Sequence, residues 1–136
     1  DTTGMATPPI VKTAIREIQD KVSDFEITLH FHNTRGVGLA NVLVGLSEGI
    51  YLYESCFGGI GGCPFAPDAT GNICSEDFVY MMNEMNIKTG IDINKLIEIA
   101  KKAEHILAYK LPGQVMHAGE RLKKYSLEDV KTAKGN

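Results

Sequence analysis

The chain has 136 residues, 43% of them apolar, and a formal charge of −3, which suits one globular unit with a real hydrophobic core. Mild acidity leaves no broad basic face, so nucleic acid is not an expected partner, and no apolar run approaches the roughly 18 residues that span a bilayer, so no membrane is expected either. The cysteines Cys56, Cys63 and Cys74 are odd in number and form no CxxC pair, so reduced thiols are expected rather than a disulfide framework or a zinc ribbon.

The first residues, Asp1-Thr2-Thr3-Gly4, read as the end of a strand whose body lies upstream, with the Asp1 carboxylate facing a ligand mouth. Thr7-Pro8-Pro9 starts a helix, a capping residue followed by proline at the first helical position. Val11, Ile15, Ile18 and Val22 give that helix one apolar face. Over residues 25–32, Ile27, Leu29 and Phe31 alternate with Thr28, His30 and His32, the period of a strand. Residues 36–49 return to helical spacing, with Leu39, Val42, Leu43 and Leu46 as the buried stripe, and residues 50–57 form a second strand. A glycine-crowded loop covers 58–72. Ser75 then caps a helix to about residue 86, with Glu76 and Asp77 in its first turn, where negative charge suits the helix dipole. Asp92 caps a longer helix over 93–110, and Leu111-Pro112-Gly113 ends it. Residues 1–110 are expected as the structural unit and 111–136 as a tail. Alternating helices and strands imply βαβ units and a parallel sheet, in which chemistry collects at the carboxyl ends of the strands.

Residues two apart in a strand share a face, so His30 and His32 project together. Two neighbouring imidazoles repel when protonated and are comfortable as neutral ligands of one divalent metal; the other reading is a pair hydrogen-bonded in a polar interior. The stretch "GGIGGCPFAPDATGN" holds five glycines and two prolines around Cys63. Glycine lets backbone approach a ligand closely, and a loop this long is more often functional than accidental. Cys63 is either an acid–base thiol or a small residue filling a tight turn. Asn72 is either a helix-capping residue or an oxygen ligand to a hard metal. Glu76 and Asp77 are helix-terminal charges or members of a site. Cys56 and Cys74 read as structural, and Met81, Met82 and Met85 as core filler.

Together, "DTTGMATP", "HFHNTRGVGLANVLVGL" and "GGIGGCPFAPDATGNICSEDFVYMM", with "LPGQVMHAG" further on, resemble the C-terminal half of the hydroxymethylglutaryl-CoA lyase family, a branch of the metal-dependent aldolase-type barrels. The resemblance runs from Asp1 to about Ile97. His-x-His followed by "GLAN" is shared with isopropylmalate-synthase-like relatives; "GGCPFA" followed by "GN" and an acidic pair marks the lyase branch. It implies an α/β fold, the C-terminal portion of a (β/α)8 TIM-type barrel, in which Asp1 ends the sixth strand, "EITLHFH" is the seventh and "IYLYESCF" the eighth. It matches His30, His32 and Asn72 to metal ligands, Cys63 to an active-site cysteine, Asp1 to an acidic active-site residue and Glu76 to an acidic position near the site. Asn33 departs from the Asp of many lyases and resembles relatives with a broader acyl-CoA range.

The implied reaction is reverse Claisen cleavage of a 3-hydroxyacyl-CoA such as 3-hydroxy-3-methylglutaryl-CoA, giving acetyl-CoA and acetoacetate, with Mg²⁺ or Mn²⁺ as cofactor. The rival readings are an acyl-CoA-condensing synthase of the isopropylmalate synthase type and a non-catalytic zinc-binding module using Cys63. A complete barrel needs on the order of 250 residues, so the chain is expected to be an inactive piece on its own. It is expected to assemble with the missing half or as a homo-oligomer, in a cytoplasmic setting unless a targeting segment lies upstream.

Overall fold

The computed structural model describes residues 1–62, 71–122 and 124–126. Its elements run α1 (Pro8–Lys21), β1 (Thr28–His30), α2 (Gly38–Ser47), β2 (Leu52–Glu54), a 3-10 turn at Phe57–Gly59, α3 (Ser75–Glu84), α4 (Ile93–Leu107) and α5 (Val115–Ala118). Thr7 occupies the cap position of α1, with Pro8 beginning the helix. Asp92 caps α4, its Oδ1 accepting from the main-chain nitrogens of Asn94 and Lys95 at 3.0 and 3.2 Å. At α3 the expectation needs correction: Cys74 holds the cap position, while the Ser75 hydroxyl lies 2.8 Å from that of Ser55.

β1 and β2 pair in parallel, Thr28 opposite Leu52, Leu29 opposite Tyr53 and His30 opposite Glu54, with α2 as the crossover, so the expected βαβ unit is present. The pairing is shorter than the alternation predicts because the backbone changes partners. Beyond His30 and Glu54, the segment returning from the glycine loop takes over: Asn33 N donates to Gly71 O, Ile73 N to Phe31 O and Cys56 N to Ile73 O. Thr28, His30, Leu52 and Glu54 therefore share one sheet face, while Leu29 and Tyr53 pack into the helices on the other.

Two apolar clusters hold these elements. Val11, Ile15, Phe31, Val42, Ile50, Ile73 and Met82 form the first, beneath the sheet. The second joins Val79 of α3 and Ile93, Ile97 and Ala100 of α4 to Leu111, Val115 and Met116, so close packing runs past residue 110 into α5. On α1 the apolar stripe is buried only through Ile15; Ile18 and Val22 are exposed. On α2 the buried positions are Gly38, Asn41, Val42 and Gly45, and the predicted Leu43 is 42% exposed. The reason is close approach. A Cβ at Gly45 would stand 2.5 Å from both Leu29 Cδ1 and the Tyr53 hydroxyl, so Gly45 meets the sheet, with Leu46 packed beside it and Leu43 turned away.

That contact gives a test. By helix propensity alone Gly45→Ala should stabilise α2 by roughly 0.5–1 kcal/mol. The packing predicts the opposite, a loss of about 1–3 kcal/mol from overfilling, while Leu43→Ala costs about 1 kcal/mol or less because its side chain is already partly solvated. Urea midpoints of the two variants check the ranking.

Candidate metal centre

His30 closes β1 and His32 follows two residues later, so both imidazoles project on one side. Their ring centroids lie 5.2 Å apart at an interplanar angle of 49°. Asn72 comes from forty positions downstream yet sits opposite His32 in an antiparallel bridge. The bonds flanking that bridge, Asn33 N to Gly71 O and Ile73 N to Phe31 O, make His32 and Asn72 a non-hydrogen-bonded pair, the kind whose side chains stand closest on one face. Gly71 permits this return. It has φ +108°, and a Cβ there would fall 2.3 Å from Gly59 O and 2.6 Å from Gly61 O.

The lone pairs at this junction are notable. Asn72 donates through Nδ2 to Ile60 O at 2.9 Å, which turns its Oδ1 the other way. That Oδ1 is buried, as is His32 Nδ1, and neither has a hydrogen-bond partner among the described residues. Burial, followed by the neighbouring His30, pushes the His32 pKa below its ordinary value, which favours the neutral ring. Unpaired buried acceptors are costly, and a cation satisfies imidazole nitrogen and amide oxygen together. The donor set of His30, His32 and Asn72 therefore fits a divalent metal. Among the described residues no group of three His, Cys, Asp or Glu side chains does so.

Asp1 lies beside the same end of β1. Its main-chain nitrogen donates to His30 O at 2.9 Å and its Oδ1 accepts from Met5 N at 2.9 Å, while Oδ2 is buried without a partner among the described residues. Cys63 lies outside the described residues. Cys56 and Cys74 behave as structural thiols: burial first, then the nearby carboxylates Glu76 and Asp77 respectively, push their pKa values up, away from reactivity.

The acidic pair lies in the first turn of α3 as expected, but both carboxylates reach beyond their own helix. Glu76 is fully buried, and both of its carboxylate oxygens accept from Gly58 N at 2.9 Å. Asp77 accepts from Val115 N at 2.7 Å and Gln114 N at 3.1 Å, which clasps the start of α5. Glu76 thus grips the first turn of the glycine loop. Asn33 likewise has a structural task, its Oδ1 accepting from Gly38 N at 3.0 Å at the start of α2. Two residues escaped the sequence reading. Arg35 donates to Thr3 O and Gly4 O, tying the first loop to the turn after β1. Glu54 Oε2 lies 2.9 Å from His30 Nδ1; the available signal was an acid at the carboxyl end of the second strand.

A family model described as HMGL-like matches residues 1–102. Over 119 residues the chain is 46% identical to an (R)-citramalyl-CoA lyase of Chloroflexus aurantiacus, covering 88% of this chain and 38% of the relative. Over 114 residues it is 41% identical to the hydroxymethylglutaryl-CoA lyase YngG of Bacillus subtilis, covering 84% and 38%. In structure it is similar to an HMG-CoA lyase from Acinetobacter baumannii in complex with coenzyme A and 3-methylmalate, with a TM-score of 0.87 and 43% identity over 93% of this chain and 42% of that one. The chain thus spans about 40% of the length of the relatives it matches. The parallel strands, their α2 crossover and the polar cluster at the strand ends are the C-terminal portion of a (β/α)8 barrel. The chain belongs to the HMGL-like family.

Burial holds the Glu76 pKa above its ordinary value of 4.5, against the opposing pull of the main-chain N–H groups. Above pH 4.5 the folded state keeps a proton that the unfolded chain releases, so this residue's contribution to stability falls as pH rises through the raised value. Glu76→Gln removes that slope. Its urea midpoint relative to the parent should rise between pH 4 and pH 7; parallel pH profiles would contradict the assignment.

Proposed function

We propose that the protein carrying this chain is a divalent-metal-dependent carbon–carbon lyase acting on a 3-hydroxyacyl-CoA. The carrying observation is that His32 Nδ1 and Asn72 Oδ1 are buried without partners among the described residues, on facing backbone positions beside His30. Support from likeness comes from relatives named as lyases of CoA thioesters. His30, His32 and Asn72 would hold Mg²⁺ or Mn²⁺, which supplies Lewis-acid polarisation of the substrate's hydroxyl and carboxylate oxygens.

The chain's own residues supply the rest. Asp1 offers an acceptor oxygen at the same strand end and is assigned to the proton traffic of the 3-hydroxyl. As that proton leaves, the C2–C3 bond breaks and the acyl-CoA departs as its enolate. Cys63, by family resemblance, delivers a proton to the enolate carbon. Glu76 contributes by holding the first turn of the loop through Gly58. Thioesters of tertiary 3-hydroxy acids with a second carboxylate form the substrate class common to the named relatives.

The test uses the protein as its gene encodes it, assayed for cleavage of 3-hydroxy-3-methylglutaryl-CoA and of citramalyl-CoA. Chelation should abolish cleavage of the preferred substrate, and Mg²⁺ or Mn²⁺ should restore it. His32→Ala and Asn72→Ala should each lower kcat by roughly a hundredfold or more. Full activity after exhaustive chelation would overturn the proposal. So would CoA release only from 2-oxoisovalerate plus acetyl-CoA, the synthase reaction. Stoichiometric zinc lost in Cys63→Ser, without cleavage, would instead mark a metal-binding module.

A further inference from the structure

The pairing of Glu54 with His30 is used by none of the steps above. In the parallel register Glu54 stands directly opposite His30 on the polar face of the sheet, and its Oε2 lies 2.9 Å from His30 Nδ1. Within this chain the contact does little for stability, because the Glu54 and His30 side chains are 65% and 39% exposed and exposed ion pairs are worth little. Its consequence is orientational. A carboxylate can only accept, so the ring nitrogen facing it carries the hydrogen. In the neutral ring Nδ1–H donates to Glu54, and Nε2 is left with its lone pair on the opposite side of the ring. His32 differs: its Nδ1 is buried without a partner among the described residues. The two histidines are therefore oriented by different means, His30 by a carboxylate and His32 by its place in the backbone bridge.

Resting on the function proposed above, we infer that Glu54 is a positioning residue that fixes the tautomer and ring angle of His30, so that Nε2 is the nitrogen offered to the cation. A carboxylate behind a ligating imidazole also raises its basicity, and losing such a partner typically weakens metal affinity by about 10–100-fold. The sheet register makes the device possible. A slip of one residue between β1 and β2 would place Glu54 on the opposite face from His30.

Binding of Mn²⁺ is measured by the loss of the free-ion electron paramagnetic resonance signal, in the protein as its gene encodes it, with Glu54→Ala and Glu54→Gln as variants. Glu54→Ala should raise the Mn²⁺ dissociation constant by about 10–100-fold while its far-UV circular dichroism spectrum matches the parent's, which separates a lost orientation from a lost fold. Glu54→Gln keeps an acceptor for Nδ1–H without the charge and should recover part of the affinity. Unchanged or tighter Mn²⁺ binding in Glu54→Ala overturns the positioning role while leaving the proposed lyase standing. No Mn²⁺ binding by the parent overturns the metal-dependent reading and this inference with it.

Discussion

Everything at the candidate centre depends on one backbone event, the return of the chain at residues 71–73 against the end of β1. Two main-chain hydrogen bonds, Asn33 N to Gly71 O and Ile73 N to Phe31 O, place Asn72 across from His32. Without them the His-x-His pair would be two polar side chains on a sheet face. With them, an amide oxygen is brought to the buried imidazole from a distant point of the sequence. The return needs a residue without a side chain at Gly71, where the carbonyls of Gly59 and Gly61 press against its backbone. It also needs Ile73, wholly buried in the first core, to anchor the segment from below.

The helix that follows secures the arrangement from the side. Two adjacent carboxylates at the start of α3 act in different directions: Glu76 holds Gly58 at the beginning of the glycine loop, and Asp77 holds the main chain at Gln114 and Val115. A single turn of helix thus fixes the loop's departure point and the start of α5. Burial makes the Glu76 charge expensive, so the contact would be hard to justify as general stabilisation. It is understandable as a device for holding backbone in one place.

Much of this was legible in the sequence where local periodicity governs. The two-residue period placed His30 and His32 on one side, and Thr7-Pro8 and Asp92 marked real helix starts. What sequence reasoning missed depends on contacts between distant segments. The partner of His30 is Glu54 because of a strand register that no local pattern encodes. Leu43 looked like core because leucine is apolar, whereas the helix turns Gly45 to the sheet so that it can approach Tyr53 closely. Glu76 and Asp77 matched the dipole rule for helix starts, yet their partners lie 18 and 38 residues away, at Gly58 and Val115. Residues from 111 onward read as tail because they are short of helical period, although Leu111 and Met116 share one apolar cluster with Val79 of α3 and Ile97 of α4.

Two imidazoles and one amide oxygen are proposed to hold a single cation, and anomalous diffraction from crystals of the protein grown with Mn²⁺ would locate it. One manganese peak is expected, bonded to His30 Nε2, a ring nitrogen of His32 and Asn72 Oδ1. A peak elsewhere in the molecule, or one coordinated by the Cys63 thiolate with Asn72 unliganded, would contradict it.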